Sequence, residues 1–444
     1  MKTPIFDFVK EYKEKNPVRF HMPGHKGVRH LGPEPYDITE IPGADTLYSA
    51  EGIIAESEEN ATRLFGTAHT FYSAEGSTLA IKAMLALAVN GQKNAKVLAA
   101  RGVHKSFIYA AALLDIDVKW VFGITRHLCS SILTAEDVAL ALDAEKEVCA
   151  FYITSPDYLG NIADIKGIAE VCHKRGIPLL VDNAHGAYLA FLSPSQHPIA
   201  LGADMCCDSA HKTLPVLTGG AYLHISENAR RDYISPAQSL LSVFASTSPS
   251  YLILESLDLC NAYLDGGYRE RLSALVNKVN GVKKRLCKLG YSVLETEPLK
   301  IVINANEYGY TGDALAEHLR NDNIEAEFFD GEYLVLMVTE QNSDLDFELL
   351  EKSLSALERK ARIANQKNQY SPSVKTRMSI REAMFTERRS VPVREALGRI
   401  CASPTVSCPP AVPIAISGEL ITEEAIKLFE GYGINCVEVV EGDC

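Results

Sequence analysis

The stretch IKGIAEVCHKRGIPLLVD, residues 165–182, decides the fold. Its first part, Ile165–Arg175, reads as a helix, and its second, Pro178–Val181, as a short apolar strand that ends at Asp182. The same alternation runs through the middle of the chain. Val97–Ala100 and Val148–Ile153 are further apolar runs of strand length, with helical segments at Thr78–Val89, Ser106–Leu114 and Ala135–Ala144. Strands alternating with helices imply βαβ units: a three-layer α/β/α domain with a mainly parallel sheet. In such a sheet the functional loops leave the carboxyl ends of the strands.

Outward from this core the text changes. Residues 1–70 read as an N-terminal arm, with an amphipathic stretch at Phe6–Tyr12, a loop rich in Pro, Gly and His at His21–Gly27, and a helical pattern over Glu56–Phe65. Residues 71–265 form the large domain. From 266 to 444 a smaller α+β domain is expected, after helices at Tyr251–Leu264 and Tyr268–Leu289. Its strands are Lys300–Asn304, Ile324–Phe329 and Tyr333–Val338, its helices Phe347–Asn365 and Glu423–Gly431, and Cys408–Pro413 is a rigid Pro-rich loop.

Composition narrows the class. The 444 residues are 47% hydrophobic and 23% charged, typical of a globular protein and too many for a single ordinary core. A net charge of −13 argues against nucleic acid as the main partner; it is compatible with a cationic substrate, and acidic solubility alone explains it equally well. Eleven cysteines, with no C-x-x-C pair, are expected to be reduced thiols of a cytoplasmic protein. The first twenty residues hold no apolar core of a signal peptide, and no run of about 18 apolar residues could span a membrane.

Lys212 lies in Asp208-Ser-Ala-His-Lys-Thr213, just after the apolar run Ala203–Cys207 and shortly before Gly219-Gly220. A lysine is usually a solvated surface charge. At a strand end in a polar pocket it can be desolvated, which lowers its pKa and makes it a Schiff-base nucleophile. Ser209 and His211 are placed to donate to a phosphate. Asp182 either caps a turn or is a buried carboxylate that keeps a pyridine nitrogen protonated. About one βαβ step separates it from Lys212, so the two can share neighbouring strand ends.

Gly76-Ser77-Thr78 opens a helix, as an ordinary cap or as an anion cradle. His104 follows a strand, and its imidazole is either a satisfied polar group or a flat partner for a ring. Ser246–Ser250 caps the helix near Tyr251 or reaches a phosphate from a partner subunit. His21, His25, His104, His185 and His211 are the candidate metal ligands. Pro23-Gly24 interrupts the His21/His25 spacing and no Cys/His quartet has zinc spacing, so no metal is expected.

The order of these motifs is more telling than any one of them. His21-x-Pro-Gly-His-Lys-Gly27, Thr39-Glu-Ile-Pro-Gly43, Gly76-Ser-Thr78 and His104-Lys-Ser106 come first. Asp182-x-Ala-His-Gly-Ala187, Ser209-x-His-Lys-Thr-Leu214 and Thr247-Ser-Pro-Ser-Tyr-Leu252 follow, then Arg381-Glu-Ala383 and Ser417-Gly-Glu-Leu-Ile-Thr422. Over nearly its whole length the chain resembles the short form of the bacterial ornithine/lysine/arginine decarboxylases. That family lies within the fold type I (aspartate-aminotransferase-like) enzymes of pyridoxal 5′-phosphate (PLP).

The resemblance implies decarboxylation of a basic amino acid to a polyamine precursor, with PLP on Lys212 as a Schiff base. Asp182 would pair with the pyridine nitrogen, His104 would stack on one ring face, and Ala184 would pack on the other. Gly76, Ser77, Thr78, Ser209 and His211 would hold the phosphate, with Thr247 or Ser248 supplied by the second subunit of a homodimer with shared sites. His185 would lie close to the cofactor, and either His185 or Lys212 would be the proton donor. Glu419 is the expected partner of the substrate's distal cation. Another fold type I activity (aminotransferase or amino-acid lyase) and a non-catalytic relative are the competing readings.

Five positions depart from the family pattern. Cys408 stands for the tyrosine of the Pro-rich loop and Ser417 for the proline of a later Pro-Gly-Glu. Ala411 stands where the loop Tyr-Pro-Pro-Gly has glycine, Asn183 where an acid follows the motif's aspartate, and Tyr188 where the motif ends in histidine.

Overall fold

The computed structural model describes residues 1–364, 375–404 and 411–442, which fall into two compact units. The first comprises Met1–Gln92, Cys149–Tyr152 and Ile165–Arg271. Its sheet runs, from the edge inward, through the strands His69–Ser73, Ala221–Ile225, Met205–Asp208 and Leu179–Asp182 to the middle of Val148–Thr154. Leu179–Asp182 and Met205–Asp208 are parallel, with Asp182 opposite Cys207. Ala221–Ile225 returns antiparallel and places His224 opposite Cys206, and Thr70 of the edge strand lies opposite His224.

Because side chains alternate across a strand, this register assigns faces. Asp182 and Cys207 share one face. Thr70, His224, Cys206 and Asp208 share the other.

The helix Gly76–Val89 is apolar all round, and every residue from Leu79 to Val89 except Lys82 is buried. It is a core helix, so its N-terminus is fixed by packing and not by surface capping. The N-terminal helix Pro4–Lys15 is tied down by a distant side chain: Asp258 Oδ2 accepts the Ile5 and Phe6 N–H groups at 2.9 and 3.0 Å. Those two donors are orphans of the first turn, so the carboxylate satisfies them and complements the helix dipole.

The second unit comprises Lys93–Val148, Ile153–Asp164 and Leu272–Cys444. It opens with a βαβ step: Lys96–Ala100, helix Lys105–Leu114, and Asp117–Val121 parallel to the first strand. An antiparallel sheet follows, in the order Ser292–Val293, Lys300–Asn304, Tyr333–Met337, Phe328–Phe329. Near the end of the chain Arg388–Pro392 pairs antiparallel with Cys436–Val440. No helix among the described residues is long and apolar enough to cross a membrane.

Two expected elements are shorter than the sequence pattern suggests. A capping box of Ser343 and Asp346 starts the helix early, and it spans Asp344–Ser355 instead of reaching Asn365, which lies outside the described residues. Beyond it the backbone bonds elsewhere: Lys360 N–H to the Tyr308 carbonyl at 3.1 Å and Ile363 N–H to that of Asn306 at 3.0 Å. Of Ile324–Phe329 only Phe328–Phe329 pairs as strand.

Cys408–Pro410 lie outside the described residues, whereas Ala411 is buried and its carbonyl accepts the Lys105 N–H at 3.0 Å. Its φ of +56° puts an L-residue in the left-handed region, where glycine has no steric cost. Ala411→Gly is therefore expected to stabilise the protein by about 1 kcal/mol and the β-branched Ala411→Val to destabilise it. Paired thermal melts check this; equal midpoints for all three proteins would refute it.

Candidate active site

Lys212 sits in a single helical turn, Ala210–Thr213, immediately beyond the strand Met205–Asp208. So short a helix has no stability of its own. It is held by the Gly220 carbonyl, which accepts both the His211 backbone N–H at 3.2 Å and His211 Nδ1 at 2.9 Å. The Lys212 amine lies 3.1 Å from Nε2 of His185, which comes from the turn after Leu179–Asp182. With the ammonium as donor, Nε2 is the acceptor.

Asp182 is 2% exposed. Its Oδ1 accepts the Ala184 N–H at 3.2 Å and the Cys207 thiol at 3.6 Å. Burial pushes its carboxyl above the usual range, against the pull of the Lys212 ammonium and those hydrogen bonds. Such a carboxylate is short of positive charge, which a protonated ring nitrogen would supply.

Ser77, in the first turn of Gly76–Val89, receives a hydrogen bond from Ser209 Oγ at 2.8 Å. No side chain caps that helix, and Gly76 enters it with φ +70°. A 14-residue helix start with two hydroxyls beside it is suited to an anion. Burial lowers the pKa of His211, with Lys212 adding to the effect; a phosphate would oppose both. Gly76, Ser77, Asp182, Ala184, His185, Ser209, His211 and Lys212 thus come together on the first unit. Their donor set fits PLP: amine, buried carboxylate and phosphate cradle.

Thr247 and Ser248 belong to the same unit and are exposed, with the preceding Ser246 N–H bonded to Glu75 Oε1 at 2.6 Å. His104 and Glu419 belong to the second unit. His104 caps the helix Lys105–Leu114, its Nδ1 accepting the Ser106 N–H at 3.1 Å. Glu419 is buried and paired with Arg101 at 3.1 Å, and its Oε2 also accepts the Ile416 N–H at 2.8 Å. These contacts all fall on Oε2, while Oε1 is buried without a hydrogen-bond partner among the described residues.

Sequence reasoning overlooked the second row of residues. Cys207 bonds Asp182, and Asn183 turns its side chain the other way, donating to Asp208 at 2.6 Å. The Asn183 amide fills the space under the turn so closely that a Cβ on Gly186 would stand 2.0 Å from its oxygen. Only the strand register could have exposed these contacts.

The fold and site define a fold type I PLP enzyme. The solved structures it resembles include the lysine decarboxylase LdcF of Francisella novicida (TM-score 0.82, 15% identity, 99% of this chain and 81% of that one). Lysine decarboxylase A of Pseudomonas aeruginosa matches with TM-score 0.82 at 19% identity, over 97% and 75% of the two chains. Residues 3–301 match the family described as Orn/Lys/Arg decarboxylase, major domain, and residues 359–432 match its C-terminal domain. An arginine decarboxylase of Halalkalibacterium halodurans is 32% identical over 95% of this chain and 91% of its own length. The chain belongs to the Orn/Lys/Arg decarboxylase family and is a PLP-dependent decarboxylase of a basic amino acid.

The raised Asp182 carboxyl makes a prediction about the protein without cofactor. A carboxyl whose pKa is raised by folding contributes stability that is full below the ordinary carboxylate pKa. That stability is lost as pH rises through the raised value. Asp182→Asn removes the titration, so the apoprotein should gain about 1 kcal/mol at neutral pH while binding PLP at least about ten-fold more weakly. Melts of both apoproteins at mildly acid and mildly alkaline pH, with a PLP titration, test this. A less stable variant at neutral pH contradicts it.

Proposed function

We propose that the substrate is arginine and that the products are agmatine and CO2. The observation that carries this choice is that relatives aligned along almost the whole chain bear the name arginine decarboxylase. In the reaction the Cα–carboxylate bond breaks, CO2 leaves, and a proton takes its place on Cα.

PLP, when bound, supplies an electrophilic carbon and an electron-accepting ring. Lys212 anchors it through its amine. His185, 3.1 Å away, takes the ammonium proton and so frees that amine, and the same pair can return a proton to Cα. Asp182 keeps a proton on the ring nitrogen, because a buried carboxylate gains most from a cation in contact with it. Ser77, Ser209 and the start of Gly76–Val89 orient the phosphate.

The exposed Thr247 and Ser248 support a homodimer in which each subunit completes the other's phosphate site. The nine described cysteines are all free, which supports a cytoplasmic protein.

The test is CO2 release from arginine, lysine and ornithine with added PLP, with product masses recorded. Agmatine is expected from arginine, and Lys212→Ala should lower turnover at least about a thousand-fold. Preference for lysine or ornithine overturns the substrate assignment. A 2-oxo acid product overturns decarboxylation.

A further inference from the structure

A closed polar cluster lies behind the cofactor-bearing strand ends, on the sheet face opposite Asp182, and the proposed reaction makes no use of it. Its centre is Asp208, fully buried. Oδ2 of Asp208 accepts from Nε2 of His197 at 3.0 Å and from Nε2 of His224 at 3.1 Å. Oδ1 accepts from the Asn183 amide at 2.6 Å. His224 uses its other nitrogen as well: Nδ1 accepts from the Thr70 hydroxyl at 2.8 Å, and Thr70 is bonded in turn to Thr67 at 2.8 Å. Phe65 closes the cluster, its ring centre 4.5 Å from that of His224 and 5.7 Å from that of His197.

Three donors converge on one carboxylate, which explains how a charge survives in the core. The two imidazoles hold the Asp208 carboxyl far below the usual range despite its burial. His197, Asp208 and His224 are also residue types that bind metal, and their donor atoms lie within 4.8 Å of one another. The N···O separations are hydrogen-bond lengths, however, and each Nε2–H already has its acceptor, so the cluster is coherent as a proton network.

The location of the cluster gives it a role. Asn183 directly follows Asp182, and Asp208 directly precedes the turn that carries Ser209, His211 and Lys212. The Asn183–Asp208 bond therefore joins the two segments that must present carboxylate, amine and phosphate cradle at fixed separations. A backbone bond, Asn183 N–H to the Cys207 carbonyl at 2.9 Å, joins the same segments.

We infer that Asn183 and Asp208 form a positioning clamp that fixes the Lys212 turn relative to Asp182 and thereby sets the affinity for PLP. The inference rests on the assignment of Lys212 and Asp182 to the cofactor. Asn183 suits it because an acid there would face the Asp208 carboxylate at hydrogen-bond distance.

The test uses the full chain. Asn183→Asp introduces a second carboxylate, and Asp208→Asn turns the anion into an amide. Each should raise the PLP dissociation constant about ten-fold and shift the pH midpoint of the bound cofactor's visible absorption. The reciprocal double variant N183D/D208N again sets one carboxylate against one amide, with the amide oxygen at 208 left to accept from both imidazoles. It should recover affinity to within about three-fold of the parent.

An unchanged dissociation constant in Asp208→Asn overturns the clamp. So does a double variant no better than the poorer single one, or stoichiometric metal in the purified holoenzyme. Should Asp208→Asn fail to fold, Thr70→Val removes only the hydroxyl that serves His224. It should weaken PLP binding about three-fold, and no change there is equally fatal. Lys212→Ala separates the two levels: if it keeps the native absorption band, the site assignment itself fails. If it loses the band while the clamp variants bind normally, only the clamp fails.

Discussion

Burying a carboxylate is expensive unless its charge is met, and this protein buries two at the ends of adjacent parallel strands. They are met in different ways. Asp208 is surrounded by two imidazoles and an amide and stays ionised within the protein's own structure. Asp182, on the opposite sheet face, receives a backbone N–H and a thiol and is held above its ordinary pKa. One charge is complete without a ligand. The other would, on the proposed reading, be completed by the cofactor, with a lysine within electrostatic reach and a hydroxyl-lined helix start on the same unit.

Much of this was legible in the chain. Apolar runs of strand length alternating with helices gave the α/β class, and several elements were found where expected, Ala135–Ala144, Lys300–Asn304 and Glu423–Gly431 among them. The approach of Asp182 to Lys212 followed from one βαβ step. Legibility failed where an outcome depended on long-range partners. Nothing local to Phe347–Asn365 says that its second half will bond to Asn306 and Tyr308. Nothing near Glu419 in the sequence announces its pairing with Arg101, which stands more than three hundred residues away. Asp208 was read only as a neighbour of Lys212, since His197 and His224 reach it from a loop and from an adjacent strand.

The departures from the family pattern divide on the same lines. Ala411 keeps a backbone conformation made for glycine, a local strain at a buried position. Asn183 is no strain at all. It replaces an acid with a donor where a carboxylate already waits. Tyr188 is fully buried in the short helix Ala187–Phe191, so a motif position that is histidine elsewhere is here part of the apolar packing.

The contact between Asn183 and Asp208 also has a historical consequence. A change of Asn183 alone to an acid would set two carboxylates against each other in the core, whereas a change of Asp208 alone to asparagine leaves two amides that can still pair. An acid at position 183 is therefore accommodated more readily where 208 is not itself an acid. The order of change matters in turn: the residue at 208 gives up its charge before the residue at 183 acquires one.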